Sequence, residues 1–244
     1  MPFLFFIIAL LYAMVGFGGG SSYIALLVLF EVPYEAIPPV VLACNMIVVS
    51  GGSWLFVRRG HFQWELFWPL AAGSLPMAFI GGRIPLSREV FLLLLGVVLL
   101  IAGIRLLWVH KKGAYAEIRP MQKGWGLLAG SILGLLAGLV GIGGGIFLAP
   151  LMLNCRWALP RQVAAVCSVF ILVNSLAGLA GQLWKQAADV SVLIYWPLFV
   201  AVLIGGQIGS RLGSGKIPQA WIRTLTGVLV VFVGSRVLIR WFMT

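Results

Sequence analysis

The groups in this chain best suited to holding a ligand are backbone amides. Gly16-Phe17-Gly18-Gly19-Gly20 and Gly141-Ile142-Gly143-Gly144-Gly145 each set three consecutive glycines inside a long apolar run. A glycine in a helix interior costs about 1 kcal/mol relative to alanine and brings no packing side chain, so each run should break its helix. Where a second helical piece starts after the break, near Ser21-Ser22 and near Ile146-Phe147, its first N–H groups are unpaired and its dipole end is positive. Both features attract an anion. The chemistry is anion recognition by backbone, with Gly18, Gly19, Gly20, Ser21 and Ser22 on one side and Gly143, Gly144 and Gly145 on the other. Glycine also lets membrane helices approach closely. A triple glycine at two matching places favours a substrate path over packing alone.

Four further positions pair between the two halves of the chain. Cys44-Asn45 matches Cys167-Ser168 at an offset of 123 residues, in segments rich in small side chains. Amides and hydroxyls there can replace an anion's hydration shell or bond across helices, and thiols can touch sulfur-containing substrates or simply fill space. Arg83 and Arg211 close equivalent segments, where a cation either raises local anion concentration or anchors the helix end at the membrane surface. The six acidic residues, Glu31, Glu35, Glu65, Glu89, Glu117 and Asp189, all fall at or near segment ends, which argues against proton coupling through a buried carboxylate. No aspartate dyad, HExxH or GxSxG occurs, so neither an enzyme nor a cofactor is expected.

The elements that must position these residues are membrane helices. Of 244 residues, 61% are hydrophobic and 9% charged, and the mean hydropathy is +1.08. Apolar runs of about 20 residues suit helical spans, whereas barrel strands would alternate over about 10. Lipid is therefore the principal partner. The excess of 17 basic over 6 acidic residues sits in short connections such as Arg58-Arg59-Gly60-His61, as cytoplasmic loops require, and nucleic acid is not expected. Three widely spaced cysteines, Cys44, Cys155 and Cys167, make neither a disulfide framework nor a zinc site.

Eight apolar segments emerge: Phe3 to Phe30, Ala36 to Val57, Trp64 to Gly82, Val90 to Val109, Trp125 to Leu153, Leu159 to Trp184, Val190 to Ser210 and Ile217 to Trp241. They form an all-α polytopic membrane protein of two pseudo-symmetric four-segment repeats with glycine-broken first segments, residues 1–109 and 125–244, joined by a basic cytoplasmic linker, 110–124. The glycine runs recur at an offset of 125, Trp68-Pro69 and Trp196-Pro197 at 128, and Gly103-Ile104-Arg105 and Gly234-Ser235-Arg236 at 131. The first segments, 28 and 29 residues long, either cross the bilayer or fold back at the glycines. Crossing gives parallel repeats with eight basic residues inside and six outside, and folding back gives inverted repeats with ten inside and four outside. The charge rule favours inversion by a small margin.

The twin glycine motifs, with Pro150-Leu151 after the second, resemble those of the TauE/SafE sulfite exporter family, also called the four-toluene-sulfonate uptake family. The likeness extends over essentially the whole chain and takes in the Arg58-Arg59-Gly60 turn. It implies a multi-pass carrier of the bacterial inner membrane that moves a small organosulfur anion, a sulfur oxyanion or a small carboxylate. An anion channel on the same pore is the alternative, and a homo-oligomer stays open. The first half departs from the pattern, with Tyr23-Ile24-Ala25-Leu26-Leu27 where the family more often has proline-leucine.

Overall fold

A computed structural model of the chain describes residues 1–14, 16–108, 118–185 and 192–212, with separate positions between 224 and 239. The described residues form helices α1 (Pro2–Ala13), α2 (Gly20–Leu29), α3 (Ile37–Arg58), α4 (Trp64–Arg83), α5 (Arg88–Trp108), α6 (Lys123–Val140), α7 (Gly145–Asn154), α8 (Pro160–Lys185) and α9 (Trp196–Leu212). A 3-10 turn, Val192–Tyr195, leads into α9. The eighth expected segment, Ile217 to Trp241, lies largely outside the described residues, and its described positions are helical. Of the expected linker, 110–117 is outside them too, and α6 begins at Lys123.

Both long first segments are broken where the glycines fall. At about 1.5 Å per residue, α1, α2 and α7, of 12, 10 and 10 residues, are far too short for a hydrocarbon core of about 30 Å. α6, with 18 residues, is long and apolar enough to cross, and in each half the second piece turns back toward the level at which the first began. The Arg119 N–H, just before α6, donates to the Arg156 carbonyl, just after α7, at 2.9 Å, so the hairpin of α6 and α7 begins and ends at one level. In the first half, Tyr23 in the first turn of α2 stacks on Phe5 in α1, with ring centroids 4.8 Å apart. The end of α2 then reaches the start of α3, where Val28, Glu31 and Ile37 line a common cavity of about 240 Å³.

Helix directions follow from the contacts. α8 is antiparallel to α3: Leu42 meets Gly178, and Ser53 meets Ser168. α4 runs with α8, Ala78 lying by Gly178 and Arg83 by Trp184. α6 runs with α4, because a methyl on Gly130, Gly134 or Gly138 would strike the carbonyl oxygen of Leu70, Ser74 or Ala78 in turn. α9 runs with α3, Gly206 against Val48 and Gln207 against Gly51, and α1 runs with α9, Gly205 and Gly209 meeting the carbonyls of Phe6 and Leu10. Hence α1 rises with α3 while α6 descends with α8, and the two halves enter the membrane in opposite senses. This answers in favour of inversion the question that the charge count left nearly balanced.

Backbones this close are held by van der Waals packing and Cα–H···O contacts, since lipid provides no hydrophobic drive between helices. The most buried spans are α3 and α8, which cross at the centre. Exposed tryptophans gather toward helix ends, with Trp54, Trp64, Trp68 and Trp125 toward one membrane face and Trp184 and Trp196 toward the other, as interfacial anchors do.

Candidate anion site at the paired helix breaks

The tips of the two hairpins meet between α3 and α8. Asn45, ninth of 22 residues in α3, and Ile171, twelfth of 26 in α8, lie against Gly18, Gly20, Gly143 and Gly145, which sets the ends of the two breaks near the mid-depth of the longest spans, while Gly16 and Gly141 lie nearer the starts of α8 and α3, by Ala164 and Pro38. The Asn45 Nδ2 donates to the Ile142 carbonyl at 3.1 Å, so an α3 side chain ties down the second hairpin. A methyl group on Gly20 would stand 2.6 Å from Asn45 Nδ2 and 2.7 Å from the Ile142 oxygen. One on Gly143 would lie 3.0 Å from Asn45 Nδ2 and from Ser175 Oγ. Only hydrogen fits between the tips.

Gly19 and Gly144 are the N-caps of α2 and α7, with φ of 84° and 79°. Another residue there would incur about 1–2 kcal/mol of left-handed strain. Neither cap has a side chain to accept from the helix start. None of the N–H groups of Gly18 to Ser21, or of Ile142 to Ile146, donates to a backbone carbonyl among the described residues. Two positive dipole ends and two sets of unused donors thus converge on one buried spot, the arrangement that binds anions at helix starts. The hydroxyls of Ser21 and Ser175 are buried there and make no hydrogen bond to the protein. Ser22 is occupied differently, bonded to Tyr12 across the hairpin at 2.7 Å. No charged side chain is among the buried polar residues described.

Several candidate residues are not brought together with the tips. The Ser168 hydroxyl is 2.8 Å from that of Ser53 and is spent on joining α8 to α3. Cys44 and Cys167 are buried in two separate apolar clusters, Cys44 with Val40 and Val41, Cys167 with Val163 and Phe170. Arg83 is exposed at the end of α4, its guanidinium 5.2 Å from the Trp184 ring centroid and 5.6 Å from that of Phe79. That is an interfacial anchor, and Arg211 is likewise exposed at the end of α9, on the opposite side of the membrane.

The pairing of Asn45 with Ser168 is corrected as well. Gly52 faces Ser168 as Gly178 faces Leu42, and Gly16 faces Ala164 as Gly141 faces Pro38. Both relations equate α3 with α8 at an offset of 126 (178 − 52 and 164 − 38), not 123. Asn45 thereby corresponds to Ile171, which meets Gly145 as Asn45 meets Gly20. The apolar Ile171 gave no polar signal in the sequence. The steady rise of the other offsets, from 125 at the glycines to 128 at the tryptophan-prolines, was the available clue.

Ser53→Ala separates the two roles. It removes one hydrogen bond between helices, worth about 0.6 kcal/mol on average in membrane proteins, and it leaves the tips untouched. Thermal unfolding should drop slightly while substrate flux in proteoliposomes stays within about twofold.

Comparison with known proteins identifies the family. Residues 1–237 match the family described as Sulfite exporter TauE/SafE. A probable membrane transporter protein of Sinorhizobium fredii is 34% identical over 237 residues, covering 96% of this chain and 95% of that one. A probable membrane transporter protein of Methanocaldococcus jannaschii is 23% identical over 248 residues, covering 93% and 92%. No solved structure matches. With the match running through both glycine breaks and nearly end to end, the chain belongs to the TauE/SafE family of membrane transporters.

Proposed function

We propose that this transporter moves a small anion, a sulfur oxyanion such as sulfite or a small organosulfur or carboxylate anion, through a site between the tips of its two inverted hairpins. The observation that carries the reading is the convergence of unused N–H donors from the starts of α2 and α7 on one buried point at mid-depth. The family description, which names sulfite export, supports the choice of sulfur oxyanion.

Contact between the tips, with Asn45 bonded to Ile142 and Gly20 against the same carbonyl, favours a carrier that opens alternately over an open channel. Inverted repeats with a midplane site formed by broken helices suit that cycle. The membrane face at the ends of α3 and α7 carries exposed Arg58, Arg59, Arg119, Arg156 and Arg161, whereas the hairpin mouth on the other face exposes Glu31 and Glu35. The basic face is assigned to the cytoplasm, where it would gather anions for the site.

The test is flux of sulfite in proteoliposomes. Saturable uptake accelerated by sulfite on the opposite side is expected. Absence of flux for every sulfur oxyanion and small carboxylate would remove the reading, and unitary currents would replace the carrier with a channel.

A further inference from the structure

Among the described residues two buried amide oxygens have no hydrogen-bond partner, those of Asn45 and Asn174, and the one that lies against a glycine break is that of Asn45. Asn45 is fully buried. Its orientation is fixed, because only the amide nitrogen can face the Ile142 carbonyl, which accepts and cannot donate. The Oδ1 atom is therefore turned to the first break, where a methyl on Gly18 would stand 2.5 Å from it. Oδ1 makes no hydrogen bond to the protein. Ile171, the corresponding residue of the other half, offers no acceptor.

A buried acceptor without a partner destabilises the fold, and a ligand relieves that cost only by donating. A fully ionised oxyanion has acceptors alone. Its oxygens match the N–H groups of α2 and α7 but repel Oδ1. The singly protonated form of the same anion presents acceptors to those N–H groups and one O–H to Oδ1. It also carries one negative charge fewer into a site with no buried cation among the described residues, so less charge is desolvated. Ser21 and Ser175 can donate or accept and suit either form, which leaves Asn45 as the residue that discriminates.

We propose that the site takes the singly protonated monoanion of an oxyacid, hydrogensulfite in preference to sulfite, with Asn45 Oδ1 receiving the ligand's proton-bearing oxygen. This rests on the reading of the paired tips as an anion site. The buried titratable side chains on the helices that pack around the tips are Tyr12 of α1, Tyr23 of α2, Cys44 of α3 and Cys167 of α8. α7 carries none, and the only one on α6 is Lys123 at its exposed first residue. Phenols and thiols ordinarily ionise above neutrality. Around neutral pH, the pH dependence of binding should therefore follow the ligand's own ionisation.

The experiment measures stabilisation of the purified full-length protein against heat by sulfite and by nitrate, which carries no proton in this range, across neutral pH. Sulfite affinity should fall about tenfold per pH unit once pH exceeds the ionisation of hydrogensulfite, and nitrate should bind weakly with a flat profile. In Asn45→Ile, checked for an unchanged elution volume, sulfite should lose less affinity with rising pH than in the unmodified protein, keeping only the part due to the ligand's charge. Sulfite binding that is equally tight on both sides of neutrality would overturn the preference and leave the anion site standing. No stabilisation by either anion at any pH would overturn both.

Discussion

Gly20→Ala is expected to reduce transport at least tenfold although alanine is the better helix former. Gly20 is the first residue of α2 and does not have the positive φ of its neighbour Gly19. By helix propensity alone the change would stabilise α2 by about 1 kcal/mol. The added methyl, however, points across the gap between hairpins, 2.6 Å from Asn45 Nδ2 and 2.7 Å from the Ile142 carbonyl. The second contact is with backbone that is itself part of the opposite break, so relief requires the two tips to move apart. That displaces both sets of N–H donors from a common point, and misplacement of about 1 Å in a binding site is enough to cost roughly a hundredfold in rate. Gly60→Ala is the matching control. Gly60 has φ of 70° and nothing within 4 Å of an added methyl, so it incurs backbone strain in an exposed turn without touching the tips. Flux through Gly60→Ala should remain near that of the unmodified protein while its unfolding temperature falls.

Gly134→Leu should cost a large part of the protein's stability. The four glycines Gly126, Gly130, Gly134 and Gly138 recur every fourth residue and form one stripe of that helix. Against it lie the carbonyls of Leu70, Ser74 and Ala78 on α4, close enough that even a methyl on Gly134 would strike the Ser74 carbonyl and stand 2.6 Å from its Cα. A leucine must push the helices apart along the whole stripe. Overpacking of this kind costs about 3 kcal/mol, and in lipid no compensating hydrophobic gain is made. The measurement is the folded fraction recovered in detergent by size exclusion, with its unfolding temperature. A variant that elutes and melts like the parent would show that the α4 and α6 backbones do not meet there.

The helix breaks were legible in the sequence because three glycines in an apolar run have few other uses, and their duplication marked them as one feature made twice. Whether the long first segments cross or fold back was not legible, since 28 or 29 residues accommodate either path. The decisive contacts join distant positions, such as Arg119 with Arg156 and Gly209 with Leu10. Asn45 stood out as an amide in an otherwise apolar stretch. Its counterpart did not, because the likeness of Cys44-Asn45 to Cys167-Ser168 drew the comparison three residues out of register. Arg83 illustrates another limit: its partner Trp184 is about a hundred positions away, and nothing local separates an arginine stacked at the interface from one lining a path.

The central claim is that the anion sits between the two tips, held by donors from both. Its most direct measurement is sulfite binding to the purified protein, read as thermal stabilisation, compared between the unmodified chain and Gly20→Ala. Sulfite at about a hundred times its dissociation constant should stabilise the unmodified protein by about 2.7 kcal/mol and leave Gly20→Ala, folded by its elution volume, unshifted. Equal stabilisation of the two proteins would contradict the claim, since an anion indifferent to the spacing of the tips is not bound between them.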